Sequence, residues 1–370
     1  MNNKLFLILC FAAAIVVILY LQRRTIQKWT SGIPLFVSLF LKLLAMTVIA
    51  YLVIVEPNWL WHVHFPLSGI YIALFADFCG QLIFSIINAF QRAQSKPRFS
   101  FKSLTIISSI CGVLFLIYGM INMSIVTPEY HTYTSSKIDR QYKFVFISDV
   151  HNAEAQSFGI LEKAVEEINR EAPDFVVLGG DITDDFSTAE EMQKTYEILG
   201  KLSSEVYFVY GNHDRQGNSQ YANGPQYSQE ELIKTIEDNG ITILRDEFVE
   251  YGDDMVFLGR EDSNSTDDYK PAEELTFEDP EKYSIVFVHN PYEEDYIKTI
   301  HPDLQVAGHS HAGQFWPLQT VYNLVGYDAY GEYAKGSSIL YVSPGIAGWR
   351  IPFRSEAHCH YDVFMITPDS

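Results

Sequence analysis

Cysteine is scarce in this sequence: four among 370 residues, with Cys10, Cys79 and Cys111 in apolar stretches near the front and Cys359 alone behind them. A single thiol in the rear half excludes an internal disulfide there, and any zinc site built on cysteine pairs. Positive charge is scarce in the same half. Nine Lys or Arg face two Asp or Glu up to Val126, a balance of +7 that leaves −27 for the remainder of a chain whose net charge is −20. So acidic a surface argues against nucleic acid as a partner, because phosphate backbones are gripped mainly by Lys and Arg. Two motifs are absent as well. No G-x-x-x-x-G-K-[ST] phosphate loop occurs, and Ser310 is followed by His-Ala-Gly, one residue out of step with a G-x-S-x-G nucleophile elbow.

The front half holds what the rear lacks. Four stretches, Leu5–Leu21, Ile33–Val55, Pro66–Phe90 and Leu104–Val126, have the length and apolarity of membrane helices. The first exceeds a signal core, has no small-residue cleavage site and is followed at once by Arg23 and Arg24, so it reads as retained. Basic residues collect between the first and second stretches and between the third and fourth, which places those loops inside the cell. An N-terminus outside and a rear half on the extracytoplasmic side of the cell membrane follow. Lys42 and Asp77 fall within the spans; Lys42 reads as snorkelling and Asp77 as bonded to a neighbouring helix. His62 and His64, beside Trp61 and Phe65, suit an interfacial belt. The division is a membrane domain over 1–126, a linker over 127–142 and a globular domain over 143–370.

From Lys143 onward the pattern changes to short apolar runs of strand length, "KFVFISD", "DFVVLGGD", "VYFVYGNHD", "YSIVFVHNP" and "LQVAGHSH", each ending in Asp, Asn or His. Helix-spaced segments at Phe158–Arg170 and Ala189–Lys201 alternate with them, which predicts an α/β fold. In such sheets ligands bind beyond the carboxyl ends of strands. Those ends carry Asp149, His151, Asp181, Asn212, His213, His289, His309 and His311. Any one of these is more often a structural hydrogen bonder than a ligand. Coincidence at five strand ends is another matter. Imidazole, carboxylate and amide donors without thiolate suit Mn, Fe or Zn, and seven ligands are too many for one ion. Two ions sharing a carboxylate accommodate them.

The motifs Asp149-Val-His151, Gly180-Asp181-Ile-Thr-Asp184, Gly211-Asn212-His213-Asp214, His289 and Gly308-His309-Ser-His311 resemble, in order, those of the calcineurin-like metallophosphoesterases. The resemblance implies a four-layer sandwich of two β-sheets flanked by helices, preceded here by the four membrane helices. It implies that Asp149, His151, Asp181 and His311 hold one divalent ion, that Asp181, Asn212, His289 and His309 hold the other, and that Asp181 bridges. Alternate residues of an extended segment face the same way, so His309 and His311 are expected to serve neighbouring ions with Ser310 turned away. The stretch Ile339–Arg354 resembles the closing strand and arginine-bearing loop of membrane-anchored members, which implies that Arg354 meets substrate phosphate. The segment after it, "SEAHCHYD", departs from those members, and His358 and His360 read as structural strand residues.

The implied chemistry is phosphoester hydrolysis. Two divalent ions, two carboxylates and a hydroxide leave a site of about +1 that attracts an anion within an acidic protein. Metal binding lowers the pKa of water from 15.7 to about 7, so no side-chain base is required. His213, next to a ligand without being one, is placed to protonate the leaving group or to stabilise its charge, with Asp214 either orienting the imidazole or serving as a local cap. A membrane-anchored, two-metal phosphoesterase acting on a lipid or cell-envelope phosphoester is the expectation. The competing reading is a non-catalytic membrane protein with a metal-stabilised partner-binding domain, against which His213 speaks, since a purely structural site has no use for it.

Overall fold

Residues 35–54, 61–94, 102–152, 156–217, 224–266, 268–291, 295–349 and 352–369 are described by the computed structural model. The chain divides into two compact units, Met1–Gly119 and Met120–Ser370.

The first unit contains α1 (Leu35–Ile54), α2 (Trp61–Ala93) and most of α3 (Lys102–Met123). These fall where the second, third and fourth apolar stretches are expected; Leu5–Leu21 lies outside the described residues. Among the described residues no helix is long and apolar enough to cross a membrane. The four expected crossings are therefore not shown among the described residues. The side chains of Lys42, His62 and His64 also lie outside them. Asp77 accepts a hydrogen bond from Ser108 Oγ of α3 at 3.4 Å. Large apolar side chains face outward on all three helices, Phe40 at 58%, Phe90 at 69% and Leu114 at 58% exposure among them.

In the second unit, each strand's alternation settles which layer it joins. β2 (Tyr142–Ile147) points Phe144 and Phe146 one way and Val145 and Ile147 the other, and β3 (Phe175–Leu178) does the same with Phe175 and Val177 against Val176 and Leu178. β4 (Glu205–Phe208) and β5 (Ile241–Ile243) continue this sheet in parallel. Val145, Ile147, Val176 and Leu178 pack under α4 (Phe158–Glu171), α5 (Ala189–Leu199) and α6 (Gln229–Asp238). α5 and α6 each start with a capping box, Thr188 with Glu191 and Ser228 with Glu231.

The second sheet is built from β6 (Glu247–Tyr251), β7 (Met255–Gly259), β8 (Tyr283–Phe287), β9 (Leu304–Ala307), β10 (Gly331–Lys335) and β11 (Ser338–Val342), in the order β10-β11-β9-β8-β7-β6. It turns Phe257, Ile285, Phe287, Leu304, Val306 and Tyr341 toward Phe144 and Phe175 of the first sheet. Phe144 stacks on Phe175 at 5.2 Å and meets Phe287 edge-on at 5.5 Å. Each such fully buried ring stabilises the fold by roughly 1.5–3 kcal/mol, so this aromatic layer fixes the sheets face to face. Val286, Val288, Leu340 and Val342 pack on the far side with Ala272, Leu275 and Ile297, the last from α7 (Asp295–Ile300). Two mixed sheets with flanking helices result, as the motifs imply.

Residues 127–142, expected as a linker, are largely a strand. β1 (Val126–Ser135) pairs in parallel with β12 (Cys359–Pro368) over its whole length, from Val126 opposite Cys359 to Ser135 opposite Pro368. Its side chains alternate between half-buried and exposed, and Pro128 sits within it, which an edge strand tolerates. With no apolar run to announce it, β1 is specified by its partner. The parallel strands β2, β3, β4, β8 and β9 all end at one rim, and the polar clusters follow there.

Candidate metal centre

The rim begins where β2 gives way to Ser148 and Asp149. Asp149 has φ 54°, His151 38°, Asp181 52°, His309 75° and His311 50°. Left-handed backbone costs about 1–3 kcal/mol at a non-glycine residue, and five of the seven expected ligands adopt it. The turns aim these side chains inward from strand ends that would otherwise run past one another. Close packing then requires glycine: a Cβ at Gly308 would lie 2.5 Å from Asp149 Oδ2 and from Ser148 Oγ.

The donor atoms gather in two groups, Asp149 with His151 and His311, all buried, and Asp181 with His289 and the half-buried His309, each within 4.8 Å. Asp181 stands between them, its Oδ2 at 3.0 Å from His289 Nε2 and 3.7 Å from His151 Nε2. The unused ring nitrogens are anchored: His151 Nδ1 to Asp184 at 2.8 Å, His289 Nδ1 to the Gly179 carbonyl at 2.9 Å and His311 Nδ1 to the Ala347 carbonyl at 3.1 Å. Such partners set the tautomer that leaves Nε2 as the ligand.

The fit to cations can be tested on atoms left without partners. His151 Nε2 and Asn212 Oδ1 are buried with no hydrogen-bond partner among the described residues, a costly arrangement unless something else fills it. Burial lowers the proton affinity of His289, yet the carboxylates of Asp181, Asp149 and Asp262 raise its pKa to about 10. Burial pushes His309 and His311 the other way, to about 4 and about 3, and the oxygen and nitrogen donors together suit a dinuclear centre of divalent ions.

One expectation about this rim is corrected. His309 and His311 do not reach their groups by strand alternation. β9 ends at Ala307, His309 and His311 are both left-handed, and residues 311–313 turn in a 3-10 helix. The kink divides the two rings between the groups. Ser310 does face away, its hydroxyl donating to the Ala329 carbonyl.

His213 lies beside the centre, its ring 5.5 Å from that of His151 and 5.1 Å from that of Trp349. Its Nδ1 bonds Asp185 Oδ2 at 2.5 Å. Burial pushes its pKa down, but Asp181 and Asp185 outweigh this and hold it at about 9. Asp214, expected to orient the ring, does something else. Its carboxylate accepts from the backbone amides of Gly211, Asp181, Ile182 and Thr183 at 2.7 to 3.1 Å, clasping two ligand-bearing loops together. The doubled aspartate in Gly180-Asp-Ile-Thr-Asp-Asp185 was the available hint to Asp185; nothing in the sequence pointed to Trp349.

Arg354 is corrected too. It is fully buried, with Nη1 donating to the carbonyls of Gly345 and Ala347 and Nη2 to those of His311 and Pro344. A guanidinium with these donors engaged by backbone shapes the ligand loop and does not reach substrate. His360, on β12, bonds the buried Asp362 at 3.1 Å, and His358 bonds Asn122 at 2.7 Å, so both are structural.

Comparison with known proteins places these features. Residues 142–313 match the family model of the calcineurin-like phosphoesterases. A protein of Helicobacter pylori (strain J99) named an uncharacterized metallophosphoesterase is 28% identical over 239 residues, 63% of this chain and 61% of that protein. A transmembrane protein with metallophosphoesterase domain from Danio rerio is 25% identical over 334 residues, 82% of this chain and 73% of that one. The solved dimetal phosphatase from Danio rerio aligns with a TM-score of 0.36 at 15% identity, over 56% of this chain and 88% of that one. The chain thus spans 61% of the length of the Helicobacter relative it matches.

Proposed function

We propose that this protein hydrolyses phosphoesters at a dinuclear metal centre and carries that centre at a membrane surface. The observation that carries the reading is the pair of ligand groups meeting at the buried Asp181 beside the His213–Asp185 pair. Asp149, His151, Asp181 and His311 would hold one ion, and Asp181, Asn212, His289 and His309 the other, with Mn, Fe or Zn suited to the donors. When bound, such ions polarise the phosphoryl group and supply a water-derived nucleophile at neutral pH. The chain's own residues do the rest. Asp184 and the Gly179 and Ala347 carbonyls fix the imidazole orientations, and Asp214 locks the ligand loops. His213, kept protonated by Asp185 and Asp181, delivers a proton to the departing oxygen. That proton-donating pair next to the ligands is what a merely structural metal site has no use for.

Anchoring rests on the front half. α1, α2 and α3 present apolar side chains outward, and one relative is named a transmembrane protein. The basic loops put the catalytic unit on the extracytoplasmic side, where lipid or cell-envelope phosphoesters are within reach.

The test is to assay the full chain with Mn, Fe, Zn and Mg in turn against phosphomonoesters, phosphodiesters and lipid phosphoesters. Metal-dependent turnover of one class is expected. No turnover with two ions bound per chain would overturn the hydrolase reading. A fragment that starts after Ser135 is unsuitable, since it removes β1 from the sheet.

A further inference from the structure

Trp349 stands at the rim without a part in holding metal. Its indole is half-buried, 5.1 Å from the His213 ring and tilted 34° to it. The backbone that carries it is fixed from several sides. The Ala347 carbonyl meets His311 Nδ1 at 3.1 Å and accepts from Arg354 Nη1 at 3.0 Å, and the Gly348 amide donates to Met123 Sδ at 3.2 Å. At Trp349 itself the amide donates to Gln314 Oε1 at 2.9 Å and the carbonyl accepts from Gln314 Nε2 at 3.3 Å. Gln314 comes this close because residue 348 is glycine: a Cβ there would lie 2.7 Å from Gln314 Nε2. Gln314 is buried and follows His311 in the same loop, so one loop supplies a metal ligand and also sets the position of the indole.

That position decides what the ring can do. His213 has Nδ1 bonded to Asp185, which leaves Nε2 to meet the leaving oxygen. A hydrogen bond puts that oxygen about 3 Å from Nε2, and the first carbons of the departing alcohol then come within contact range of a ring lying against the imidazole. His151, whose ring stands 5.5 Å from that of His213, belongs to a ligand group and borders the phosphoryl side. An indole is a large, rigid, mainly apolar surface that loses little conformational freedom when it is contacted. Held in place and partly open, it suits an apolar or flat group better than a small hydrophilic one.

We propose that Trp349 is a specificity-determining residue that receives the carbon body of the leaving alcohol, so that esters of arylalkyl alcohols are preferred over esters of small hydrophilic ones. The proposal rests on the phosphoester-hydrolase reading and on His213 as the acid. One aromatic contact of this kind is worth on the order of tenfold in affinity.

The experiment uses the full chain, wild type, Trp349→Ala and Trp349→Phe, with metal content measured in each. One arm compares kcat/KM for benzyl and methyl phosphate, and for dibenzyl and dimethyl phosphate. Within each pair the leaving alkoxides are nearly equal in basicity and the charges are equal, so a nearby cation, Arg350 next along the chain included, does not separate them. The other arm titrates benzylphosphonate and methylphosphonate by calorimetry and needs no turnover. The wild type is expected to favour the benzyl member about tenfold in both arms. Trp349→Ala should keep both ions and lose that preference, while Trp349→Phe should keep most of it. Trp349→Leu, apolar but without a ring, takes the place of the alanine variant if that one fails to fold or loses an ion. A wild type without the preference, or a preference that survives removal of the ring, overturns the assignment. So does an equal loss on the benzyl and methyl members, which would leave Trp349 packing His213 and nothing more. If the wild type hydrolyses none of these esters, the hydrolase reading fails, and the phosphonate titrations still decide whether Trp349 receives the apolar group.

Discussion

Asp185, not the neighbouring motif residue Asp214, bonds the imidazole of His213, with Nδ1 and Oδ2 2.5 Å apart and both side chains buried. The pair lies next to His151 and, with Asp184, forms a third cluster of metal-capable donors distinct from the two ligand groups. Proton delivery and metal holding are therefore separable by mutation.

His213→Ala should slow an ester with a poor alkoxide leaving group by about 10²–10⁴-fold, the usual contribution of a positioned acid. Asp185→Asn should cost a substantial part of that, since it removes the charge that keeps the ring protonated. A nitrophenyl ester, whose leaving group departs without a proton, should suffer far less in both variants. Both substrates would be measured at matched metal occupancy. Equal losses on the two would refute the acid role and leave His213 orienting phosphate.

Asp214 should behave as a structural residue. Asp214→Ala strips an acceptor from four backbone amides of two ligand loops. A loss of about 3 kcal/mol or more in unfolding free energy is expected, because each buried amide left unsatisfied costs about 1–3 kcal/mol. Urea denaturation reads it; unchanged stability with reduced turnover would return Asp214 to the catalytic group.

Metal stoichiometry distinguishes the two ligand groups. Asp181→Asn should weaken both ions, since Asp181 lies between the groups. Gly308→Ala places a methyl 2.5 Å from Asp149 Oδ2 and should chiefly impair the Asp149, His151 and His311 group. Elemental analysis at saturating metal would show this, and two ions retained in Asp181→Asn would rule out a shared carboxylate.

Away from the rim, Asp362 should make the fold acid-sensitive. Its buried carboxylate accepts from Tyr341 at 2.7 Å and Ser343 at 2.5 Å and bonds His131 at 2.9 Å. Burial alone would raise its pKa, but the charges and hydrogen bonds of His360 and His131 depress it well below the ordinary carboxylate range. A depressed folded-state pKa stabilises above the unfolded value of about 3.9, and that stability is lost as pH falls further. Asp362→Asn should therefore unfold at lower urea than wild type at pH 7, with the gap narrowing below about pH 4. A gap that stays constant down to pH 3 would show that charge is not the cause.

Much of this protein is readable before folding. Strand cores such as Phe144-Val-Phe-Ile147 are short continuous apolar runs that mark buried strands, and Asp149, His151, Asp181, Asn212, His289, His309 and His311 stand where apolar runs stop. Short-range patterning encodes these because burial and periodicity act over a few residues. β1 carries no apolar run and was read as linker, because an edge strand draws its stability from hydrogen bonds to a partner more than two hundred residues away.

The sequence by itself determined the α/β class, the order of the strand ends and the identity of the expected ligands, all properties of local pattern and residue chemistry. The tertiary structure decided which acid meets which base. Asp184, Asp185 and Asp214 are chemically alike and close in sequence, yet one anchors His151, one pairs with His213 and one clasps backbone amides. Likewise Arg354 faces carbonyls where a substrate contact was expected. Direction in space separates these roles, and it is set by left-handed turns and by packing between segments far apart in the chain, which no local pattern records.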